Sequence, residues 1–356
     1  MQQFITRSTF DDDVVLQECQ KMLGKATSSK NGMLSTDGSE FIKKGKNSAG
    51  VSRQYCGRYG KTENCQAGVF CAYAGENGYG LVFHPAKNAK SLRCFSAWRR
   101  RFLVNVAAGY ASFRLLATRK NPSQIFSRFS PDETLVDKEL YLPKDWFDEE
   151  HKESREKCGI PEDKVFQTKN EIALGLLKKA VESGDFNVKW IGCDAAFGCD
   201  HDFLDSLPGD VWYFAGTNAK ERVFLSRPEM KLPDQPKTGG RYKHEVPSFA
   251  PVQVKEIAAD DTIPWQRVLL FEGSKGSVYA DFKCIRCISC RTATKFGNYI
   301  HPHTDVWLYI RRYENNDVKY FLSNAPENIE LPELHEAATL RWPIEQCFEE
   351  CKNLFP

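Results

Sequence analysis

The segment from residue 168 to 215 constrains the fold most, because helix and strand patterns alternate along it. Thr168-Lys-Asn-Glu171 is a capping box, and apolar residues at helical spacing follow it. Val188–Cys193 is then typical of a buried strand, 200–207 of a helix and 211–215 of another strand. The alternation predicts an α/β fold, with a mixed sheet that contains parallel members and is flanked by helices.

Hairpin patterns on both sides of this segment add antiparallel strands. Ser48–Cys56 and Cys65–Ala74 are joined by turn residues, and Tyr79–Phe83 starts a third strand. Further on, four strand-like runs form two hairpins: Trp265–Phe271 with Ser277–Cys290, and Val306–Tyr313 with Val318–Ser323. We expect a small antiparallel β module there, reached through a linker over 228–251 that contains five prolines.

Composition sets limits on location and partners. A length of 356 residues suggests two domains. The longest apolar run, Phe102–Phe113, is too short to span a membrane, and no signal peptide precedes Asp11. We therefore expect a cytoplasmic protein with reduced thiols. The net charge of +2 does not by itself indicate nucleic-acid binding. However, residues 83–131 contain ten Lys and Arg and no acid. This segment is either an accidental insertion or a functional arm.

Three acidic residues are candidates for chemistry. Asp37 follows a short strand pattern that we expect to enter a turn, Asp194 ends a buried strand, and Glu345 lies on a helical pattern near the carboxyl terminus. Attack on a phosphodiester builds charge on two oxygens, which two divalent metals about 4 Å apart can stabilise. Carboxylates are ligands that Mg²⁺ prefers. Glu349 and Glu350 are alternatives to Glu345, and each acid alone could be a solvated side chain.

The spacing Arg341-x3-Glu345-x6-Lys352 resembles the signature around the catalytic glutamate of DDE-type insertion-sequence transposases. The resemblance extends upstream to Asp37–Gly45, Gly50–Gly57, Asn64–Phe70, Leu140–Phe147 and Asp194–Gly198. It implies a ribonuclease-H-like core with a β-rich insertion before the glutamate. It also implies cutting and joining of DNA at element ends by a homodimer assembled on DNA. Two Mg²⁺ ions, for which Mn²⁺ can substitute, would be bound by Asp37, Asp194 and Glu345.

Basic residues near these acids are candidates for DNA binding through phosphates. One cluster is adjacent to Asp37 in the sequence: Lys43, Lys44, Lys46, Arg53, Arg58 and Lys61. The alternative is a solubilising surface hairpin. Arg341 and Lys352 flank Glu345 at helical spacing, where they could contact phosphate, and a salt bridge between Lys352 and Glu349 is the alternative.

A cysteine cluster offers a different chemistry. Cys284, Cys287 and Cys290 stand at CxxC spacing and are followed by His301 and His303, a set that could bind zinc. However, a second CxxC pair at ribbon spacing is missing, and the run is typical of a strand in which apolar cysteine is common. His201, seven residues after Asp194, is a weaker site candidate that we expect to pack or cap locally.

These observations predict the domain organisation. The parts are 1–30, the remnant of an amino-terminal helical domain; 31–82 and 137–225, the ribonuclease-H-like core; 83–136, a basic insertion; 226–330, the linker and β-rich module; and 331–356, the start of the helix with Glu345.

Three functions follow from this organisation: an active transposase at the bacterial nucleoid, a non-catalytic remnant that binds DNA or a partner, and a zinc-binding module. The chain begins inside the helical part and ends four residues after Lys352. We therefore expect a fold like that of the family with activity impaired or lost.

Overall fold

The computed structural model describes residues 12–75, 78–81, 138–232, 245–273, 276–293, 299–341 and 344–345. The chain divides into two compact units. The first is Met1–Trp190 with Leu340–Pro356, and the second is Ile191–Thr339.

The first unit is built around β3 (Lys61–Gly75), a strand of 15 residues. Along one edge, β1 (Met33–Ile42) pairs with it antiparallel from Met33↔Ala74 to Ile42↔Cys65. The other edge of β3 pairs in succession with three shorter antiparallel strands, β2 (Ser52–Cys56), β5 (Lys138–Tyr141) and β4 (Gly78–Leu81). The first predicted hairpin is therefore confirmed, with a one-turn 3-10 helix at Gly57–Tyr59.

Helices in the described part of this unit include α1 (Asp12–Thr27), α2 (Lys152–Cys158) and α3 (Lys169–Glu182). α1 confirms the helical structure predicted within residues 1–30 over its described part, Asp12–Thr27. α3 packs against β1, β3 and β5 through a buried apolar stripe that includes Ile172, Leu176 and Leu177. The predicted capping box is also confirmed, because Thr168 Oγ1 accepts from Glu171 N at 3.2 Å and Glu171 Oε2 accepts from Thr168 N at 2.7 Å.

The turn predicted directly after Asp37 is wrong, since β1 continues to Ile42. Asp-Gly-Ser favours a turn locally, but here Gly38 and Ser39 pair with Val69 and Gly68 of β3. Glu40 Oε1 also lies 3.8 Å from Lys169 Nζ of α3. Asp37 is therefore inside a ten-residue strand and not at its end.

The second unit contains a sheet in the order β11–β8–β13–β14–β15–β7–β6, with β12 beside β13, and a separate β9–β10 ladder. Its strands are β6 (Trp190–Cys193), β7 (Trp212–Thr217), β8 (Arg222–Phe224), β9 (Met230–Lys231), β10 (Val246–Pro247), β11 (Val252–Gln253), β12 (Gln266–Gly273), β13 (Gly276–Ala293), β14 (Tyr299–Arg312) and β15 (Val318–Ser323). Its helices are α4 (Ala195–Gly198), α5 (His201–Asp205), α6 (Val254–Ala259) and α7 (Leu331–Leu340).

Both downstream hairpins are confirmed as the antiparallel pairs β12–β13 and β14–β15. β15 also pairs with β7, from Tyr320↔Thr217 to Ser323↔Phe214. The hairpins are thus continuous with the strand that follows Asp194 in the chain. Phe214 connects them in the core, because its ring lies 5.5 Å from Tyr309 and 4.9 Å from Phe321.

The fold is therefore mixed α/β, as predicted, with mostly antiparallel pairing. The helix–strand alternation over 168–217 is confirmed, but the longest strands are antiparallel neighbours, and β12 to β15 follow one another through hairpin connections. Within the described ranges, no helix is both long enough and apolar enough to cross a bilayer.

Candidate active site

Asp37 lies in the middle of β1, directly opposite Phe70 of β3, and is half-buried. Its Oδ1 accepts a hydrogen bond from Gly38 N at 2.6 Å. Successive side chains of a strand point to opposite faces, so Asp37 lies on the face away from Glu40. Glu40 contacts Lys169 of α3, and Asp37 therefore lies on the sheet face that does not bear α3.

Two buried serines flank Asp37 on the same face. Ser35 and Ser39 are each 2% exposed, and neither hydroxyl oxygen has a hydrogen-bond partner among the described residues. An unsatisfied buried hydroxyl is costly, and such groups often mark a position where a ligand or water completes the hydrogen bonding. The surroundings of Asp37 thus suit a polar ligand.

Asp194 follows β6 and is the N-cap of α4. Its Oδ1 accepts from Ala196 N at 3.0 Å and from Phe197 N at 3.3 Å. These bonds stabilise the first turn of the helix and hold the carboxylate in one orientation. Asp194 therefore has a structural role in addition to any role in binding a ligand.

Two glycines bring α4 against β7 and so fix the backbone at Asp194. A Cβ at Gly198 would overlap the carbonyl oxygen of Gly216, which is backbone and cannot swing away. A Cβ at Gly216 would lie 3.0 Å from the carbonyl carbon of Asp194. The close helix–strand contact thus requires glycine on both sides.

A polar cluster near Asp194 in the chain was missed by sequence reasoning. Glu221 Oε2 accepts from Thr217 Oγ1 at 3.2 Å, and its Oε1 lies 3.4 Å from His201 Nε2. Asn218 Nδ2 donates to Cys199 Sγ at 3.1 Å. The sequence contains only a weak indication of this cluster, namely an acid, Glu221, four residues after the strand that ends at Thr217.

α5 carries an ion-pair network that also involves His303, one of the two histidines of the predicted zinc set. Arg291 donates to Asp202 Oδ1 at 2.8 Å and to Asp205, and His303 Nε2 lies 3.1 Å from Asp205 Oδ1. Partial burial, with Arg291 and His201 nearby, lowers the pKa of His303 below its usual value. His303 is thus engaged with a carboxylate.

The geometry of β13 argues against the zinc alternative. Cys284 and Cys287 are three residues apart in a strand, so their side chains point to opposite faces. Burial raises the pKa of Cys284, Cys287 and Cys290 to about 12, whereas zinc binds the thiolate. In the described part of each unit, no group of three or more His, Cys, Asp or Glu side chains is placed to hold a metal ion.

Glu345 is paired with an arginine of its own segment. Arg341 Nη2 donates to Glu345 Oε1 at 2.9 Å, the spacing of adjacent helical turns. The Arg341 side chain is 13% exposed and that of Glu345 is 39% exposed. Arg341, predicted to contact phosphate, thus orients the candidate carboxylate in this structure.

The cations predicted to bind DNA lie in different parts of the β2–β3 hairpin and the loop before it. Lys43 N donates to Asn64 O at 2.9 Å, and Arg53 lies directly opposite Asn64 in the β2–β3 ladder. Lys44 and Lys46 follow in the same loop and are exposed. Lys61, in contrast, pairs with Cys56 near the turn, and its Nζ lies 2.8 Å from Glu63 Oε1.

The expected closeness of these cations to Asp37 is wrong. Because β1 stays extended beyond Asp37 to Ile42, Lys43 lies about 20 Å further along the strand. Several predicted residues fall outside the described part of the chain: Glu349, Glu350, Lys352, the side chain of Arg58, and the basic segment 83–131.

The donor chemistry of the three predicted ligands fits a hard divalent cation. Asp37, Asp194 and Glu345 offer carboxylate oxygens, which Mg²⁺ and Mn²⁺ accept. One oxygen of each is oriented by an N–H donor, from Gly38, from Ala196 and from Arg341 respectively. Each carboxylate is thus held in one orientation, as metal-binding carboxylates commonly are by their hydrogen-bond partners.

Comparison with known proteins gives the family. The family model described as DDE superfamily endonuclease matches residues 1–86 and 127–277, more than half of the chain. The chain belongs to this family, and the resemblance to DDE-type enzymes is confirmed. Asp37 and Asp194 lie within the matched residues, whereas Glu345 lies beyond them. The unmatched residues 87–126 fall within the predicted insertion.

Other comparisons add little. Among solved structures, the chain is similar to the crystal structure of the NurA nuclease from Sulfolobus solfataricus, with 10% identity, a TM-score of 0.23, and coverage of 92% of this chain and 79% of that chain. At this TM-score, the likeness carries no argument. No curated protein matches the sequence.

Proposed function

We propose that the protein is a transposase that cleaves and joins DNA strands with divalent metal ions held by Asp37, Asp194 and Glu345. The observation that carries the proposal is the endonuclease family match, which includes both aspartates. Mg²⁺ is the proposed ion, and Mn²⁺ can substitute. When bound, two such ions stabilise charge on the attacking and leaving oxygens of the phosphodiester.

The chain's own residues prepare this chemistry by orienting carboxylates. Asp194 Oδ1 is held by two backbone N–H groups at the start of α4, which fixes the plane of its carboxylate. Arg341 does the same for Glu345 through Oε1. Ser35 and Ser39 lie on the same face as Asp37, and their buried hydroxyl groups have no partner among the described residues. Pre-oriented groups lose little entropy when a ligand binds.

The proposal includes the partners and architecture that the resemblance implies. The partners are element ends and target DNA, which a homodimer would hold, in the cytoplasm at the bacterial nucleoid. Lys43, Lys44 and Lys46 of the loop after β1 and Arg53 of β2 would bind phosphates. Of these, Lys44, Lys46 and Arg53 are exposed. The fold would be ribonuclease-H-like, with the β12–β15 strands as the insertion before Glu345 and a basic insertion at 83–136.

Metal removal tests the proposed function. We expect the purified chain to nick supercoiled plasmid DNA with Mg²⁺ or Mn²⁺, to lose all nicking in excess EDTA, and to recover it when Mg²⁺ is added back. The measurement is conversion to the nicked form on a gel. Asp37→Asn protein, purified in the same way, controls for contaminating nuclease.

Two results would contradict the proposal. Nicking that persists in EDTA would exclude metal-dependent cleavage. DNA binding without nicking in either metal would favour the second candidate, a non-catalytic DNA-binding relative. One observation favours that candidate: the family match ends at residue 277, before Glu345.

A further inference from the structure

The cations and aromatic residues of the β2–β3 hairpin lie on defined faces of the sheet. Phe70 lies opposite Asp37, and Asn64 and Thr62 are an even number of residues from Phe70 in the same strand. Side chains at even separations in a strand share a face. Asn64 and Thr62 are therefore on the face that bears Asp37, which we call the Asp37 face.

Two residues of the edge strand β2 extend this face. Arg53 lies opposite Asn64, and Tyr55 lies opposite Thr62. Directly paired residues of antiparallel strands are on the same side of a sheet. Tyr55 is 62% exposed, and Arg53 and Thr62 are exposed as well. The outer end of the Asp37 face thus presents a phenol ring beside a guanidinium.

Lys61 lies on the opposite face. It is an odd number of residues from Thr62, and it pairs with Glu63, two residues further on the same side of β3. The hydrogen bond and charge of Glu63 raise the pKa of Lys61 and engage its ammonium group. Among its described side chains, the hairpin therefore has Arg53 on the Asp37 face and Lys61, in an ion pair with Glu63, on the α3 face.

We infer that Tyr55 and Arg53 bind single-stranded DNA, with the Tyr55 ring stacking on an unpaired base and Arg53 contacting its phosphate. An exposed aromatic ring next to a cation is the combination that single-strand-binding surfaces use, because every base has a face that can stack. The positive charge of Arg53 favours a polyanion. The patch lies about 27 Å along β3 from Asp37.

This inference rests on the proposed function for its choice of DNA as the ligand. Base pairs beside a strand break have lost stacking on one side and open more readily, so a strand-cleaving enzyme meets unpaired bases. The shared sheet face puts the patch on the same side as Asp37. The bound form is an unpaired strand and not a duplex, since bases stacked inside a duplex cannot cover the ring.

Binding measurements without metal test the inference. We expect Tyr55→Ala to weaken binding of a fluorescent single-stranded oligonucleotide about tenfold, and Tyr55→Phe to bind like the wild type because it keeps the ring. Arg53→Ala should lower the salt dependence of binding, by about 0.7 in the slope of log K against log salt. Lys61→Ala is the charge-matched control and should leave the slope unchanged. Melting temperatures check that each variant folds.

The outcomes separate this inference from the proposed nuclease. If the wild-type chain binds single strands but does not nick DNA, the proposed nuclease activity is excluded, whereas the proposed stacking on Tyr55 is still supported. The patch would be excluded by unchanged single-strand binding in Tyr55→Ala, by an equal loss for duplex DNA, or by an equal effect of Lys61→Ala. If Tyr55→Phe binds single strands as weakly as Tyr55→Ala, stacking of the ring is excluded as the cause of the loss.

Discussion

Asp194→Asn is expected to reduce metal-dependent DNA cleavage by at least about 100-fold, because outer-shell partners of metal ligands already account for 10- to 100-fold effects. Asparagine caps helices as well as aspartate does, so the bonds from Ala196 N and Phe197 N are retained. The substitution thus removes the negative charge and keeps the local structure. Nicking rates in Mg²⁺, with far-UV circular dichroism to verify the fold, measure the effect.

Asp200→Asn is the matched control for this substitution. Asp200 caps α5 in the same way, with Oδ1 accepting from Asp202 N at 3.0 Å and from Phe203 N at 3.1 Å. It lies in the same unit but outside the proposed ligand set, so we expect nearly wild-type cleavage. Equal activity in the two variants would mean that Asp194 is only a helix cap.

Gly198→Ala is expected to have the largest effect on stability. The new Cβ would overlap the backbone oxygen of Gly216, so α4 must move away from β7. Overpacking usually costs 1–3 kcal/mol, and a clash with backbone puts this change at about 3 kcal/mol or more. The shift would also displace Asp194, which begins α4. Urea unfolding followed by fluorescence measures the loss of stability.

The control for this clash is Gly209→Ala in the same unit. A Cβ at Gly209 meets no atom within 4 Å. We expect its stability to stay within about 0.5 kcal/mol of the wild type, as is usual at open surface positions. If Gly198→Ala were as stable as Gly209→Ala, the close α4–β7 contact would be wrong, and so would its role in positioning Asp194.

Local chemistry explains which elements were predictable. The Thr168–Glu171 capping box and the hairpin turns are set by neighbouring residues, and the structure confirms them. Asp37-Gly38-Ser39 has equally strong turn chemistry, yet pairing with β3 overrides it. β3 is separated from Asp37 by more than twenty residues, and a sequence window around Asp37 cannot show that partner.

In the candidate site, too, features set by neighbouring residues were predictable and features set by distant partners were not. The position of Asp194 directly after a buried strand was predictable from the apolar run before it, and the family match includes this residue. Its capping bonds and the Gly198–Gly216 contact depend on how α4 meets β7. The separation of Arg53 from Lys61 was not predictable, because only the ladder register assigns them to opposite faces. A shift of one residue in that register would exchange them.

Iron-directed cleavage of the polypeptide tests the central claim most directly. Fe²⁺ can replace Mg²⁺ at oxygen ligands, and with ascorbate and peroxide it generates radicals that cut the backbone near the ion. We expect cuts close to Asp37 and Asp194 in the wild-type chain, suppressed by excess Mg²⁺ and absent from the Asp37→Asn/Asp194→Asn double variant. Cuts elsewhere, or the same cuts in the double variant, would contradict the assignment of these aspartates as metal ligands.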